Sequence, residues 1–339
     1  MDGSGPVTNG SRRGDGVALL AKDGLPSGKF VDPDITAKGE ARARVPLKGV
    51  ETLWFNTGTL CNIECENCYI LSSPTNDALI YLSADEVRDY LDQIEARREA
   101  GSKRWPVTEI GFTGGEPFMN PEMNEMAEAA LERGYKVLVL TNAMAPMMRP
   151  RVKKGLLALR ERFGDALTLR ISIDHHTADL HDRERGQGSF LRMMRGMRWL
   201  AQEGFRLDAA GRTCWGEDES AARAGYAALF ADTGVEIDAD DPSRCILFPE
   251  MDDAVEVPEI TGACWGILNK SPADIMCATS RMVVRRKGAD APAVLACTLL
   301  AYDDQFELGA TLEEAEKPIK LNHPHCAKFC VLGGGSCTA

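Results

Sequence analysis

The sequence lacks any run of about 18 apolar residues, the length that a membrane-spanning helix needs. It also lacks the apolar segment of a secretory signal near its start, so we expect a cytoplasmic protein. Basic residues are few, because 39 lysines and arginines against 51 acidic residues give a net charge of −12. Phosphate binding needs a concentrated basic face. We therefore expect neither nucleic acid nor a membrane among its partners.

Cysteine, by contrast, is abundant, with 11 in 339 residues. In a reducing cytosol we expect metal ligands or reactive thiols rather than disulfides. Three cysteines lie close to residue 65, six fall in the last quarter of the chain, and Cys214 and Cys245 stand between. A function for this protein has to explain that clustering.

Strand and helix patterns alternate through most of the chain. Apolar strands are predicted at 50–56, 107–112, 136–140, 167–173 and 205–215, with a sixth beginning at Val235–Ile237. Ser83 and Glu86 form a capping box that opens the first intervening helix. Six such units predict a parallel sheet with outer helices, and eight would need more chain. We therefore expect an α/β fold, a partial (β/α)6 TIM-like barrel with a small cysteine-rich C-terminal extension.

Three regions are predicted along the chain. Residues 1–46 show little periodicity, which is typical of a flexible N-terminal arm. Residues 47–255 hold the barrel units. Residues 256–339 hold a predicted hairpin at Met282–Cys297 and a tail with little apolar mass, and so small a segment often needs a metal to fold.

Cys61, Cys65 and Cys68 follow the first predicted strand with three and then two residues between them. A loop of this spacing can bring three thiolates to one centre, and thiolates are ligands of zinc and of iron–sulfur clusters. Structural zinc requires four ligands, and no fourth cysteine or histidine lies nearby. A cluster held by three thiolates keeps one iron open for substrate. The pattern therefore favours a catalytic cluster.

This trio resembles the signature of the radical S-adenosylmethionine (SAM) superfamily, Cys-x3-Cys-x2-Cys after the first barrel strand. Asn67 stands where the family has an aromatic residue, and Tyr69 lies two positions further along. The resemblance implies a [4Fe–4S] cluster on the three cysteines and SAM as a second cofactor. It also implies an external electron donor such as flavodoxin or ferredoxin.

Thr113–Pro117 reads Thr-Gly-Gly-Glu-Pro and follows the second predicted strand. Glycines allow backbone to approach a ligand closely, and a carboxylate can bind an ammonium group. The stretch resembles the family motif that holds the methionine amino group of SAM, which implies that role for Gly114, Gly115, Glu116 and Pro117. A plain glycine turn is the alternative interpretation.

Polar residues at later strand ends are further candidates for cofactor contacts. Asn142, Ser172 and Asp174 end the third and fourth strands, where the resemblance implies contacts to ribose and carboxylate. The stretch from His181 to Phe190 is similar to one in radical enzymes with cysteine-rich extensions, and its Arg185 could pair with a carboxylate. For Asn142 a turn remains open, and for the stretch around Arg185 a helix-capping loop. The predicted cofactor-binding set also includes Tyr69.

Four residues are candidates for catalysis. His175 and His176 follow the fourth strand and could act on substrate or in proton transfer, or be satisfied polar neighbours. Cys214 and Cys245 each stand alone in the sequence. Isolated cysteines are usually buried and act as small hydrophobic residues. Either could instead donate a hydrogen atom.

The C-terminal cysteines resemble the "twitch" extension, a shorter relative of the SPASM domain. The resemblance implies an auxiliary [4Fe–4S] cluster on Cys277, Cys297, Cys326 and Cys330, with Cys264 and Cys337 as alternates. A fully ligated cluster suits electron transfer. Zinc in this tail remains open.

The combined motifs predict a radical oxidoreductase that abstracts a hydrogen atom while the auxiliary cluster accepts an electron. The substrate is a small biosynthetic intermediate or a peptide side chain. We favour the small molecule, because no winged-helix-like peptide-binding segment is visible before residue 46. The alternatives are a peptide-modifying maturase that makes a thioether or carbon–carbon link, and a non-catalytic electron carrier or zinc scaffold.

Overall fold

A computed structural model describes residues 28–249 and 256–335. The strands are β1 (Arg44–Val45), β2 (Thr52–Asn56), β3 (Glu109–Thr113), β4 (Lys136–Thr141), β5 (Leu167–Ser172), β6 (Arg206–Arg212), β7 (Cys245–Phe248), β8 (Ser280–Val284), β9 (Ala293–Leu295), β10 (Glu307–Gly309) and β11 (Ile319–Lys320). The helices are α1 (Ala84–Glu99), α2 (Met123–Glu132), α3 (Pro150–Phe163), α4 (Ala178–Arg185), α5 (Ser189–Gln202), α6 (Glu219–Thr233) and α7 (Cys264–Leu268).

The main sheet is open, with nine strands in the order β10-β9-β8-β2-β3-β4-β5-β6-β7. Strands β2 to β7 run parallel, and each new strand pairs with the one before it. Strand β2 is buried along its whole length, as expected for a sheet covered on both faces. The predicted partial α/β barrel is therefore confirmed.

Helix boundaries follow the local sequence signals. The side chain of Ser83 accepts the backbone N–H of Glu86, whose carboxylate accepts the N–H of Ser83, so the predicted capping box of α1 is confirmed. Helix α6 ends at Gly234 in the left-handed conformation that favours glycine. Within residues 28–249 and 256–335, no helix combines the length and the apolar character that crossing a membrane requires.

The predicted position of the sixth strand is wrong. Val235–Ile237 forms no strand and follows α6 as a loop, whereas β7 begins eight residues later at Cys245. Both Val235 and Ile237 are buried, because this loop packs its apolar side chains against the core. The β-branched pattern therefore reflected burial and not strand pairing.

Residues 28–46 do not form the loose arm that the sequence predicts. Phe30 and Val45 are buried, and Arg42 forms a buried ion pair of 2.6 Å with Glu259. Strand β1 pairs antiparallel with β11 of the C-terminal region. The segment is ordered by long-range contacts, which local periodicity does not reveal. The remainder of the predicted arm, residues 1–27, lies outside the described residues.

The C-terminal extension continues the barrel sheet. Strand β8 pairs parallel with β2, and the predicted hairpin appears as β8 and β9, which pair antiparallel. The guanidinium of Arg281 in β8 is completely buried and donates to the carbonyls of Cys277 and Ala315. The extension thus shares the backbone pairing and core of the barrel. The predicted boundary at residue 256 stays a prediction.

Candidate active site

One cavity lies at the carboxyl ends of the parallel strands, where α/β sheets present their loops. Cys61, Cys65 and Cys68 all line it, on the loop that follows β2. Cys61 is buried, and the other two are half-buried. The backbone N–H of Ser72 approaches the Cys68 sulfur at 3.3 Å. The structure thus brings the three predicted ligands to one chamber.

The thiol chemistry of this loop fits a bound metal. Burial raises the pKa of Cys61 to about 12 and that of Cys65 to about 11, although Arg185 opposes the rise at Cys65. At neutral pH these thiols hold their protons unless a metal displaces them. The described residues that line the cavity include no fourth cysteine and no histidine. This donor set fits a [4Fe–4S] cluster with one open iron and does not complete a structural zinc site.

Gly114 and Gly115 hold the end of β3 against the cysteine loop. A Cβ on Gly114 would lie 2.6 Å from the carbonyl oxygen of Gly58, and one on Gly115 would lie 2.3 Å from that of Leu60. The N–H of Gly115 donates to the Gly58 carbonyl at 2.8 Å. Both glycines line the cavity. They are therefore required for packing the loop that carries the cysteines against the end of β3.

Glu116, the residue after these two glycines, is buried. Its oxygens accept the Thr141 hydroxyl and the Asn142 N–H, both at 2.8 Å, and the Phe118 N–H at 3.2 Å. Burial nonetheless raises the pKa of this carboxyl to about 7. Glu116 thus joins the turn after β3 to the turn after β4. Its predicted contact with an ammonium group stays a prediction.

Asn142 connects β4 with the cysteine loop. Its amide Nδ2 donates to Asn62 Oδ1 at 2.9 Å and lies 3.8 Å from the Cys61 sulfur. Its Oδ1 accepts the Met144 N–H at 3.0 Å, which makes a local turn. Asn142 therefore closes a turn and also lines the cavity, while its contact with a cofactor stays a prediction.

Asp174 and Arg185 form the charged wall of the cavity. The guanidinium makes two hydrogen bonds to the carboxylate, Nε–Oδ2 at 2.7 Å and Nη2–Oδ1 at 3.0 Å. Although burial alone would raise the pKa of Asp174, Arg185 holds it below its usual value. This bidentate pair uses part of the donor fork of arginine and leaves other N–H groups for an anion.

The predicted cofactor-binding residues differ in their relation to the cavity. Those that line it are Tyr69, Gly114, Gly115, Asn142, Ser172, Asp174 and Arg185. Pro117 and Glu116 are buried. Their individual contacts to a cofactor stay predictions.

The stretch around Arg185 both caps a helix and reaches the cavity. The Asp182 carboxylate accepts the N–H groups of Gly188 and Phe190 at 2.7 and 2.8 Å, which caps α5. Arg185, one turn further along α4, turns inward to Asp174. The helix-capping alternative is thus correct for Asp182.

Sequence reasoning missed a network centred on Glu184. The Glu184 carboxylate accepts the Asn67 amide at 2.7 Å and Arg212 Nη1 at 2.9 Å. Asn67, which replaces the family's aromatic residue, therefore anchors the cysteine loop to α4. Arg212 lines the cavity at the end of β6. Asn142 was predicted as a site residue because it ends a strand, and the same signal could have identified Arg212.

The candidate catalytic residues do not line the cavity. His175 lies next to Asp174, with Nε2 2.7 Å from the Glu217 carboxylate. Cys245 is completely buried where β7 begins, whereas the cavity lies at the far end of that strand. Cys214 is half-buried just beyond β6. Their catalytic roles stay predictions.

Part of the auxiliary cysteine set also converges. Cys277 and Cys326 are buried, and burial together with nearby Cys297 and Cys277 raises the pKa of the Cys326 thiol. Cys330 lies on the same helical segment, Cys326–Leu332. Cys264 begins α7, and Cys337 lies outside the described residues. The four-cysteine ligand set stays a prediction.

Phe329 joins this cysteine segment to the barrel. Its ring stacks on Phe248 of β7 with centroids 5.7 Å apart, and both residues line the cavity. Leu299, two residues after Cys297, lines it as well. The extension therefore forms one wall of the chamber that the cysteine trio occupies.

Comparison with known proteins gives a matching family and relatives. Residues 55–212 match the family model described as the radical SAM superfamily. The chain is 28% identical over 177 residues to the antilisterial bacteriocin subtilosin biosynthesis protein AlbA of Bacillus subtilis, across 52% of this chain and 35% of that protein. It is 31% identical over 145 residues to the mycofactocin maturase MftC of Mycobacterium ulcerans, across 43% of this chain and 35% of that protein. The matches thus span about a third of these relatives' length.

Solved structures share the fold. The chain superposes on SuiB of Streptococcus suis, solved with S-adenosylmethionine, with a TM-score of 0.53 and 14% identity, across 84% of this chain and 67% of that one. The fold, the family match and the converging cysteine trio agree with one another. Residues 55–212 of this chain belong to the radical SAM superfamily.

Proposed function

We propose that this protein is a radical SAM oxidoreductase that abstracts a hydrogen atom from its substrate. The observation that supports the proposal best is that Cys61, Cys65 and Cys68 line the same cavity as the Asp174–Arg185 pair. Such an arrangement offers thiolates for a cluster beside charged groups for an amino acid cofactor. The family match supports the same reaction class.

In this proposal the three cysteines would hold a [4Fe–4S] cluster, and the bound cluster would supply the electron that cleaves SAM into methionine and a 5′-deoxyadenosyl radical. The backbone of Gly114 and Gly115 lines the space for SAM, and Asn142 braces the cysteine loop. Arg185 has N–H groups left for a carboxylate, because Asp174 accepts only two of them. The protein's part is to position the cofactor and exclude water.

The extension has the electron-transfer role. Cys277, Cys297, Cys326 and Cys330 would hold an auxiliary [4Fe–4S] cluster, which would accept the electron that the substrate radical gives up. Leu299 and Phe329 of that segment line the cavity, which supports this role. An external one-electron donor such as flavodoxin or ferredoxin supplies the first electron.

We further propose a peptide as the substrate, in preference to the small molecule that the sequence favoured. One relative is named a maturase and another a bacteriocin biosynthesis protein. SuiB, which shares the fold, was also solved with a precursor peptide. The cavity wall beyond the cysteines, formed by Phe248, Leu299 and Phe329, suits an apolar side chain.

The test is anaerobic reconstitution with iron and sulfide, followed by a strong one-electron reductant and SAM. We expect 5′-deoxyadenosine and methionine in equal amounts from the wild type, and only background from Cys65→Ala. Cys245→Ala is the matched control, since this cysteine is buried away from the cavity, and it should retain cleavage. Absence of cleavage by a wild-type protein with a full iron content would refute the enzyme and leave an electron carrier or zinc scaffold.

The substrate class needs a separate experiment. A precursor peptide encoded beside the gene should stimulate 5′-deoxyadenosine formation and lose two hydrogens in the product mass. Deuterium at the reacting carbon should appear in 5′-deoxyadenosine. Stimulation by small biosynthetic intermediates and not by peptides would contradict the peptide proposal while retaining the radical enzyme.

A further inference from the structure

Outside the cavity, two histidines and a carboxylate form a compact group. His175 and His176 follow β5, and Glu217 lies on the loop between β6 and α6. One ligand atom from each residue lies within 4.8 Å of the others. We propose that His175, His176 and Glu217 bind a divalent transition-metal ion of the zinc class, separate from the iron–sulfur clusters.

The donor chemistry supports this site. Two imidazoles and one carboxylate are a ligand set that zinc and similar ions accept, and three protein ligands leave a fourth position for water or substrate. His176 Nδ1 is buried without a hydrogen-bond partner among the described residues, which is unusual for a buried polar atom.

His175 makes polar contacts through both ring nitrogens. Its Nε2 lies 2.7 Å from the Glu217 carboxylate, while the Thr177 hydroxyl lies 2.8 Å from Nδ1. The Thr177 N–H also donates to Nδ1 at 3.0 Å, so in the metal-free state the ring proton lies on Nε2 and faces Glu217. A metal ion on Nε2 would replace that proton, which would move to Nδ1. The Thr177 hydroxyl would then accept it, and the Thr177 N–H would give up Nδ1 as its acceptor.

Binding requires a small local movement. The two imidazole rings stack with centroids 4.0 Å apart, and a tetrahedral zinc ion needs ligand atoms about 3.3 Å apart with converging lone pairs. The His176 ring must therefore turn toward Glu217. Gly225 allows the backbone of α6 to lie close to the His176 ring, because a Cβ on this residue would lie 2.4 Å from the ring. The Glu217 side chain is 23% exposed, which gives an ion access from solvent.

The test uses the full chain with its iron–sulfur sites reconstituted anaerobically, so that iron occupies the cysteines. After equilibration with zinc and removal of the excess, we expect about one zinc per chain by mass spectrometry. X-ray absorption should show nitrogen and oxygen neighbours at about 2.0–2.1 Å and no sulfur at about 2.3 Å. Failure to retain zinc, or a sulfur shell, would overturn the proposal and indicate a histidine–carboxylate proton pair or a cysteine site.

Three variants link the zinc to these residues. Glu217→Gln and His176→Ala should each weaken zinc binding by at least about 10-fold, and Thr177→Val, which removes only the supporting hydroxyl, by about 10-fold. Glu219→Gln is the matched control, because this exposed glutamate pairs with Arg223 on α6 and should leave affinity unchanged. Wild-type affinity in Glu217→Gln would refute the site. Zinc is measured without SAM, so this result is independent of radical chemistry.

Discussion

The two cysteine-bearing regions of the molecule hold their thiols differently. Cys65 and Cys68 lie half-buried on a loop at the mouth of the barrel, and that loop is held by hydrogen bonds from Asn142 at the end of β4 and to Glu184 of α4. Cys277 and Cys326 are buried in a segment whose strand β8 belongs to the main sheet. All three cysteines of the first region line the cavity, whereas the second region contributes Leu299 and Phe329 to the cavity wall and none of its described cysteines. This difference supports substrate binding in one and electron transfer in the other.

The difference between the two regions is tested most directly by removing one cysteine from each. With both clusters present, Cys65→Ala and Cys326→Ala should each lose about four of about eight irons per chain. SAM cleavage should disappear only in Cys65→Ala, since Cys326 lies outside the trio. Iron analysis and 5′-deoxyadenosine quantification measure the two effects.

Two results would contradict this separation. A Cys61/Cys65/Cys68 triple alanine variant without any iron would show that the extension holds no cluster. Full iron content in Cys326→Ala would exclude that cysteine as a required ligand, and Cys264→Ala and Cys337→Ala would then test the alternates.

A second experiment concerns the charged wall of the open region. Asp174→Asn leaves the Arg185 guanidinium buried without its counter-charge, and we expect a loss of about 3–5 kcal/mol in the free energy of unfolding. Glu125→Gln breaks the more exposed ion pair with Arg88 and should leave the free energy of unfolding almost unchanged. Urea denaturation of both variants measures the contrast, and equal losses would show that Asp174 is not a buried partner.

A third experiment uses the raised pKa of Glu116. Because its folded-state pKa is about 7 against 4.5 ordinarily, its protonation stabilises the metal-free protein at low pH, and this contribution is lost as the pH rises from about 4.5 through 7. From pH 4 to pH 8, the free energy of unfolding of the wild type should therefore fall by about 3 kcal/mol relative to that of Glu116→Gln. Denaturation at both pH values measures it. Parallel profiles would mean that folding does not raise the pKa of this carboxyl.

The smallest expected effect lies where the two regions meet. The Tyr302 hydroxyl, from the extension, donates to the carbonyl of Ile70 in the cysteine loop at 2.8 Å. Tyr302→Phe removes this bond and should lower stability by about 1 kcal/mol, with little change in iron content. Thermal denaturation measures the loss. A large loss of iron from this variant would show that the contact holds the first cluster in place.

Local patterns predicted most of the fold. The capping box at Ser83 and the four strands from β3 to β6 follow from helix signals and apolar runs, which depend on neighbouring residues. The misplaced sixth strand at Val235–Ile237 and the loose arm at residues 28–46 were wrong for one reason. In both places burial depends on contacts with distant residues, such as the Arg42–Glu259 pair, and a linear pattern does not contain them.

The candidate site shows the same division between features set by local sequence and features set by long-range contacts. Cys61, Cys65 and Cys68 could be predicted because metal ligation depends on residue type and close spacing. Glu184 could not, because its carboxylate acts only by joining Asn67 and Arg212, which are 145 residues apart in the chain. The turn around Glu116 was found, yet its buried position was visible only in the structure.

By itself, the sequence determined the order of strands and helices and the chemistry of the cysteine loop, because helix capping, apolar periodicity and thiolate spacing are local properties. Only the tertiary structure decided that Gly114 and Gly115 pack that loop, that Arg185 pairs with Asp174, and that Phe329 of the extension closes the same cavity. Those facts depend on distances between residues far apart in the chain, which folding sets through burial and pairing across the whole sheet.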